Sequence, residues 1–149
     1  MLQDICNKYG GQVAEMTQSA LETMLWSSTH SDYIEEEDRY DEYNLDDRYE
    51  IYDVDRDCAM RLAERINEFY MKHRELLVDE SFAEEISEDN TLLGQAGHDY
   101  WLTVARHGCG FWEPEWGDAG KAMTEWLRKN HPVEPTVCDE DGTVYIDWV

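Results

Sequence analysis

Apolar residues recur at helical spacing along much of this chain and alternate strand-like in two places. Leu2, Ile5, Cys6 and Tyr9 share one face of a short helix that Gly10-Gly11 breaks. From Gln12 to about Trp26, Val13, Met16, Ala20 and Met24 repeat the pattern, with Leu21 and Leu25 beside them, and Ser27-Ser28-Thr29 ends the run. Over Arg56 to Leu77 the stripe is Ala59, Leu62, Ile66, Phe69, Tyr70, His73, Leu76 and Leu77, with Asp53 or Asp55 as the cap. Phe82 and Ile86 predict a short surface helix in the acidic piece 79–90, and Thr91 to Ala96 a helical turn closed by Gly97 at its C′ position. Ala119, Ala122, Met123, Trp126 and Leu127 form the apolar face of a helix over Ala119 to Asn130, with Asp118 as N-cap and Pro132 as stop.

The alternating stretches predict two hairpins. Tyr100, Leu102 and Val104 alternate with Trp101, Thr103 and Ala105. Phe111 and Trp112 return after the turn signal Arg106-His107-Gly108-Cys109-Gly110. The second hairpin turns at Asp141-Gly142, with Val144, Ile146 and Trp148 on one face. The fold class that follows is α+β: two or three helices packed on a small antiparallel sheet of two hairpins joined by a helix. The chain reads as a single domain over 1–149, mainly helical over 1–96 with an acidic insert at 31–57, and hairpin-helix-hairpin over 97–149.

Charge changes the picture most. Thirty-five acids against 12 Lys and Arg leave a net charge of −23. Such a surface repels nucleic acid and anionic membrane, and it favours basic partners. No apolar run approaches membrane-spanning length and no leader pattern opens the chain, so the expected location is the cytoplasm of a cell. Cys6, Cys58, Cys109 and Cys138 are scattered with no CxxC, as in reduced and mostly buried thiols. Within 31–57, thirteen acids face only Arg39, Arg48 and Arg56, so about ten of the 23 net charges lie there. Tyr33, Tyr40, Tyr43, Tyr49 and Tyr52 are interleaved, which predicts partial order with tyrosines docked and carboxylates outward. As a helix, the 26 residues from Asp32 to Asp57 would span ~39 Å at ~1.5 Å each, and their acids would then match the ~3.4 Å phosphate spacing of a DNA strand.

Four segments carry a resemblance: Leu25-Trp26-Ser27-Ser28-Thr29, Gly97-His98-Asp99-Tyr100-Trp101-Leu102-Thr103, His107-Gly108-Cys109-Gly110-Phe111-Trp112, and Asp141-Gly142-Thr143-Val144-Tyr145. They resemble a group of small bacteriophage and prophage proteins with LWSST, GHDFWLTRNGHGAGFWD and DDG-x-IY segments. This chain departs at Tyr100, at Val104-Ala105-Arg106 in place of Arg-Asn-Gly, at Cys109 and at Glu113. The resemblance implies a phage origin and action in the host cytoplasm, and it transfers no catalytic residue.

Two chemistries compete. Across a hairpin, His98, Asp99 and His107 could converge on a metal or act as acid and base, the pattern of a small metal-dependent enzyme; turn histidines also simply bond backbone. A zinc set of Cys109, Cys138, His107 and His131 lacks ligand spacing, and Asp139-Glu140-Asp141-Gly142 reads as a turn before a calcium loop. By charge alone the acidic surface reads equally as an ordinary solvated face; the phage setting that the resemblance implies turns it toward a non-enzymatic DNA mimic with no cofactor and no resident metal. It would bind and inhibit a host restriction, CRISPR or repair protein through that protein's basic nucleic-acid-binding surface, without touching nucleic acid itself. Glu35, Glu36, Glu37, Asp38, Asp41, Glu42, Asp46 and Asp47, with Tyr40 and Tyr43 between them, are the expected contacts. An acidic assembly partner within a phage programme is a third reading. Nothing in the sequence sets an oligomeric state.

Overall fold

The computed structural model describes residues 1–77 and 90–148. The fold is α+β. Among the described residues, five helices, α1 (Leu2–Tyr9), α2 (Gly11–Ser27), α3 (Arg56–Leu77), α4 (Leu92–Val104) and α5 (Gly117–Asn130), accompany two separate antiparallel hairpins. One hairpin joins β1 (Thr29–Ile34) to β2 (Arg39–Asn44), and the other joins β3 (Thr136–Glu140) to β4 (Thr143–Asp147).

The strongly amphipathic stretches form the expected helices. Gly10, at φ 97°, separates α1 from α2. Asp55 caps α3, its carboxylate accepting from the Cys58 N–H at 3.0 Å. The bounds of α3 coincide with the predicted Arg56 to Leu77. Asp141 and Gly142 take φ 52° and 83°, the positive pair that an Asp-Gly hairpin turn requires. Val144 and Ile146 are buried and meet the start of α3, where the Asp55 N–H donates to the Val144 carbonyl at 2.8 Å.

The aromatic hairpin expected over 97–112 is not formed. Residues 92–104 are helix α4, and an irregular loop carries Phe111 and Trp112. The reason is burial on all sides. Gly94, Ala96, Gly97 and every residue from Asp99 to Val104 are buried, so an apolar run reads as alternating while the chain winds as a central helix. Gly97 is correspondingly no C′ residue. It sits mid-helix where α4 crosses α2, and a Cβ there would lie 2.2 Å from the Met16 carbonyl oxygen. Thr91 caps α4, its hydroxyl accepting from the Gly94 N–H at 2.9 Å. The second half of the chain is therefore helix, helix, hairpin, and the other hairpin lies within the acidic insert. α5 starts at Gly117, one residue before the expected cap Asp118. The short acidic helix carrying Phe82 and Ile86 falls outside the described residues.

Phe69 centres an aromatic core. Its ring lies 5.5 Å from Tyr100, 5.2 Å from Phe111 and 6.0 Å from Trp126, and so links α3 to α4, α5 and the loop between them. The four cysteines are unpaired, but they are not mostly buried as expected: Cys58 is buried, Cys6 and Cys109 are half-buried and Cys138 is exposed.

Gly97→Ala is expected to destabilise the protein by about 3 kcal/mol, because the new methyl meets backbone that cannot step aside. Urea unfolding measures it. Substitution of Gly11, which has open space around its Cβ position, should shift the midpoint far less.

Candidate partner-binding hairpin and the buried carboxylate at Asp99

The β1–β2 hairpin pairs Thr29 with Asn44 through to Ile34 with Arg39, and a 3₁₀ turn over Glu35–Glu37 plus Asp38 at φ 45° closes it. Side chains alternate between its two faces. One face carries Thr29, Ser31, Tyr33, Tyr40, Glu42 and Asn44, all exposed. The other carries His30, Asp32, Ile34, Asp41 and Tyr43, all partly shielded, and Arg39.

This ribbon replaces the acidic helix considered from the sequence, and it sorts the acids differently. Asp32 faces Asp41 directly across the ladder, an unfavourable like-charge pair. Arg48 relieves it by binding Asp32 at 2.7 Å, and Arg39 binds both Asp41 and Glu37. Asp47 caps the following 3₁₀ turn, accepting from the Asn44 N–H at 3.1 Å. Tyr43 is turned inward under the Arg48 guanidinium, 3.5 Å from its ring centre. Of the predicted contacts, Asp41, Tyr43, Asp47 and in part Glu37 thus serve the hairpin itself. The rest remain outward. Glu35, Glu36, Glu42 and Asp46 are exposed and make no ion pair among the described residues. Tyr40 is 68% exposed, its ring 5.1 Å from that of Tyr33, whose hydroxyl donates to Asp38 at 2.5 Å.

His98, Asp99 and His107 do not form one centre. Asp99 is buried and accepts three hydrogen bonds, from the Trp116 indole N–H at 2.6 Å, Gln95 at 3.1 Å and His98 Nδ1 at 2.9 Å. Such satisfaction is what a buried carboxylate needs. The His98 ring stacks on Trp26, 5.8 Å away. His107 instead lines a cavity with Arg106 and Trp112. Helical winding explains the split: a hairpin would have folded His107 back over His98, whereas α4 carries the chain onward from Asp99 to Val104 before it turns. Among the described residues no group of three or more His, Cys, Asp or Glu is placed to hold a metal ion. The zinc set fails on the same ground, and both ring nitrogens of His131 are taken, by Tyr100 at 2.9 Å and Glu68 at 3.0 Å.

No family model, curated protein or solved structure matches this chain. Its candidate site therefore rests on its own geometry.

A feature invisible in the sequence holds the acidic hairpin in place. Asp139 of β3 accepts from the Tyr49 hydroxyl at 2.6 Å and the Tyr43 hydroxyl at 3.1 Å, and His30 Nδ1 lies 3.4 Å away. Burial alone would raise the Asp139 pKa, but the hydrogen bonds from Tyr49 and Tyr43 and the nearby His30 outweigh it and hold the carboxyl below its ordinary value. The same contact pushes the Tyr49 hydroxyl up to about 12, since its ionisation would set a phenolate against the carboxylate. This clasp joins the base of the first hairpin to the second across some ninety residues of sequence.

Asp139→Ala is expected to lower stability by about 1–3 kcal/mol at pH 7, by leaving two phenols without their acceptor. Because the folded-state pKa is depressed, the wild-type advantage should be full above about pH 4 and fade as pH falls through the lower folded value. Urea unfolding of both proteins from pH 7 to pH 2.5 reads the difference.

Proposed function

We propose that this chain is a phage-encoded, non-enzymatic protein that occupies the basic nucleic-acid-binding surface of a host defence or repair protein as a DNA mimic. The observation that carries the reading is the hairpin tip: four consecutive acids, Glu35, Glu36, Glu37 and Asp38, all exposed, with Tyr33 and Tyr40 51% and 68% exposed behind them. Like-charge crowding at a tight turn is unfavourable for an isolated chain. A cationic groove removes that repulsion, and exposed tyrosines supply contact area at low entropic loss. Glu42 and Asp46, which make no ion pair among the described residues, extend this acidic surface. The mimicry is of charge and not of regular phosphate spacing, since the ribbon neutralises Asp32 and Asp41 internally. The segments that resemble phage and prophage proteins support the host setting.

Immobilised protein should capture a basic host protein at low salt, and duplex DNA should elute it. Replacement of Glu35, Glu36 and Glu37 together by lysine should weaken capture about tenfold or more, through the lost electrostatic complementarity. Capture that survives ~0.5 M salt, where screening shortens to a few Å, or that duplex DNA does not compete, would rule the mimic out.

A further inference from the structure

α4 ends in a turn whose backbone asks for glycine and has arginine. The His107 N–H donates to the Leu102 carbonyl at 2.9 Å and the Arg106 N–H to the Thr103 carbonyl at 3.2 Å, the paired bonds of a Schellman cap. The C′ residue of that cap takes positive φ, and here it is Arg106 at 58°. A long side chain in this conformation is disfavoured, so its presence calls for a compensating use. The guanidinium donates to the Pro132 carbonyl at 3.0 Å and keeps its other N–H groups.

Arg106 lines a cavity of about 470 Å³ between the end of α4 and the end of α5. Arg128, His107, Thr103 and Trp112 line it too, and among the described residues no carboxylate does. That is a local inversion of sign in a protein of net charge −23. The cavities beside Trp26 and along α3 carry Glu22 and Glu50, or Glu64 and Glu68. Neither Arg106 nor Arg128 makes an ion pair among the described residues. His131, on the cavity wall, is spent on Tyr100 and Glu68 and adds no charge of its own. Trp112 is 40% exposed and offers an indole face at the rim. The volume lies in the range of small-molecule sites.

We propose that this cavity binds a small phosphate-bearing molecule with a planar ring, of the nucleotide class, its phosphate on Arg106 and Arg128 and its ring against Trp112. Guanidinium forks match phosphate oxygens in pairs, and an exposed indole stacks any base without reading its edges. Polynucleotides are disfavoured, since the acidic remainder of the protein repels a long polyanion.

Calorimetric titration with adenosine monophosphate, guanosine monophosphate, adenosine, inorganic phosphate and a single-stranded oligonucleotide tests this. Both monophosphates should bind at millimolar concentration or tighter, and adenosine about tenfold more weakly. Arg106→Gly should lose about tenfold in affinity with a melting temperature no lower than the wild type, because glycine relaxes the cap. Arg128→Ala, on the exposed face of α5, should lose affinity without unfolding. Trp112→Ala should weaken the monophosphates and leave inorganic phosphate unaffected. No binding of either monophosphate at millimolar concentration overturns the proposal. So does wild-type affinity in both arginine variants, or an oligonucleotide that binds more tightly than the monophosphates.

Discussion

α2 and α4 meet backbone to backbone at Gly97, where no side-chain atom fits between the glycine and the Met16 carbonyl. Most of the remaining architecture follows from that closeness. α4 becomes the buried axis of the molecule, with Tyr100, Trp101 and Leu102 surrounded, and α3 and α5 close over it through Phe69, Phe111 and Trp126. The tight crossing also sets the depth at which Asp99 sits. Its carboxylate is removed from water and must be satisfied by Trp116, Gln95 and His98, which in turn fixes the loop leading into α5. A second close approach, of Gly120 to the Phe111 carbonyl, seats α5 against the same loop.

Charge is distributed over this core with local compensation. Arg39 and Arg48 hold the acids that face each other on the hairpin, so the ladder survives its own composition. The Asp139 clasp holds the hairpin base by hydrogen bonds from neutral phenols, which add no charge to an already anionic surface. Among the described residues, what stays without a cation at the tip is Glu35 and Glu36, since Arg39 also reaches Glu37. Opposite in sign is the space between the ends of α4 and α5, where two arginines that make no ion pair among the described residues adjoin an exposed indole. One molecule thus presents an anionic projection and a cationic recess, each suited to a partner of complementary charge.

Much of the candidate site was legible as composition and little of it as geometry. The acids and tyrosines of 31–57 announce themselves, but their strands do not. Both hairpin faces carry polar residues, so the alternation that marks a half-buried strand is weak there. The clasp at Asp139 had no signal, because Tyr49 and Asp139 are brought together only by the folding of everything between them. The His98, Asp99 and His107 grouping failed for one reason, the mistaken strand: a helix sends residues nine apart along its axis and beyond, whereas a hairpin would have returned them to each other.

The sequence by itself determined the amphipathic helices α1, α2, α3 and α5, the Asp-Gly hairpin, the α+β class and the sign of the surface. In each the information is local: a periodic stripe, a cap or a turn residue constrains its neighbours directly. Tertiary structure alone decided that residues 92–104 are a helix, that two acids of the hairpin are neutralised from within, and that Arg106 takes a glycine's conformation beside Arg128. Those outcomes depend on what surrounds a segment on every side. A run that is apolar all round reads equally as strand or helix until its neighbours are known, and a charge is paired or free only once the chain has brought its partner near.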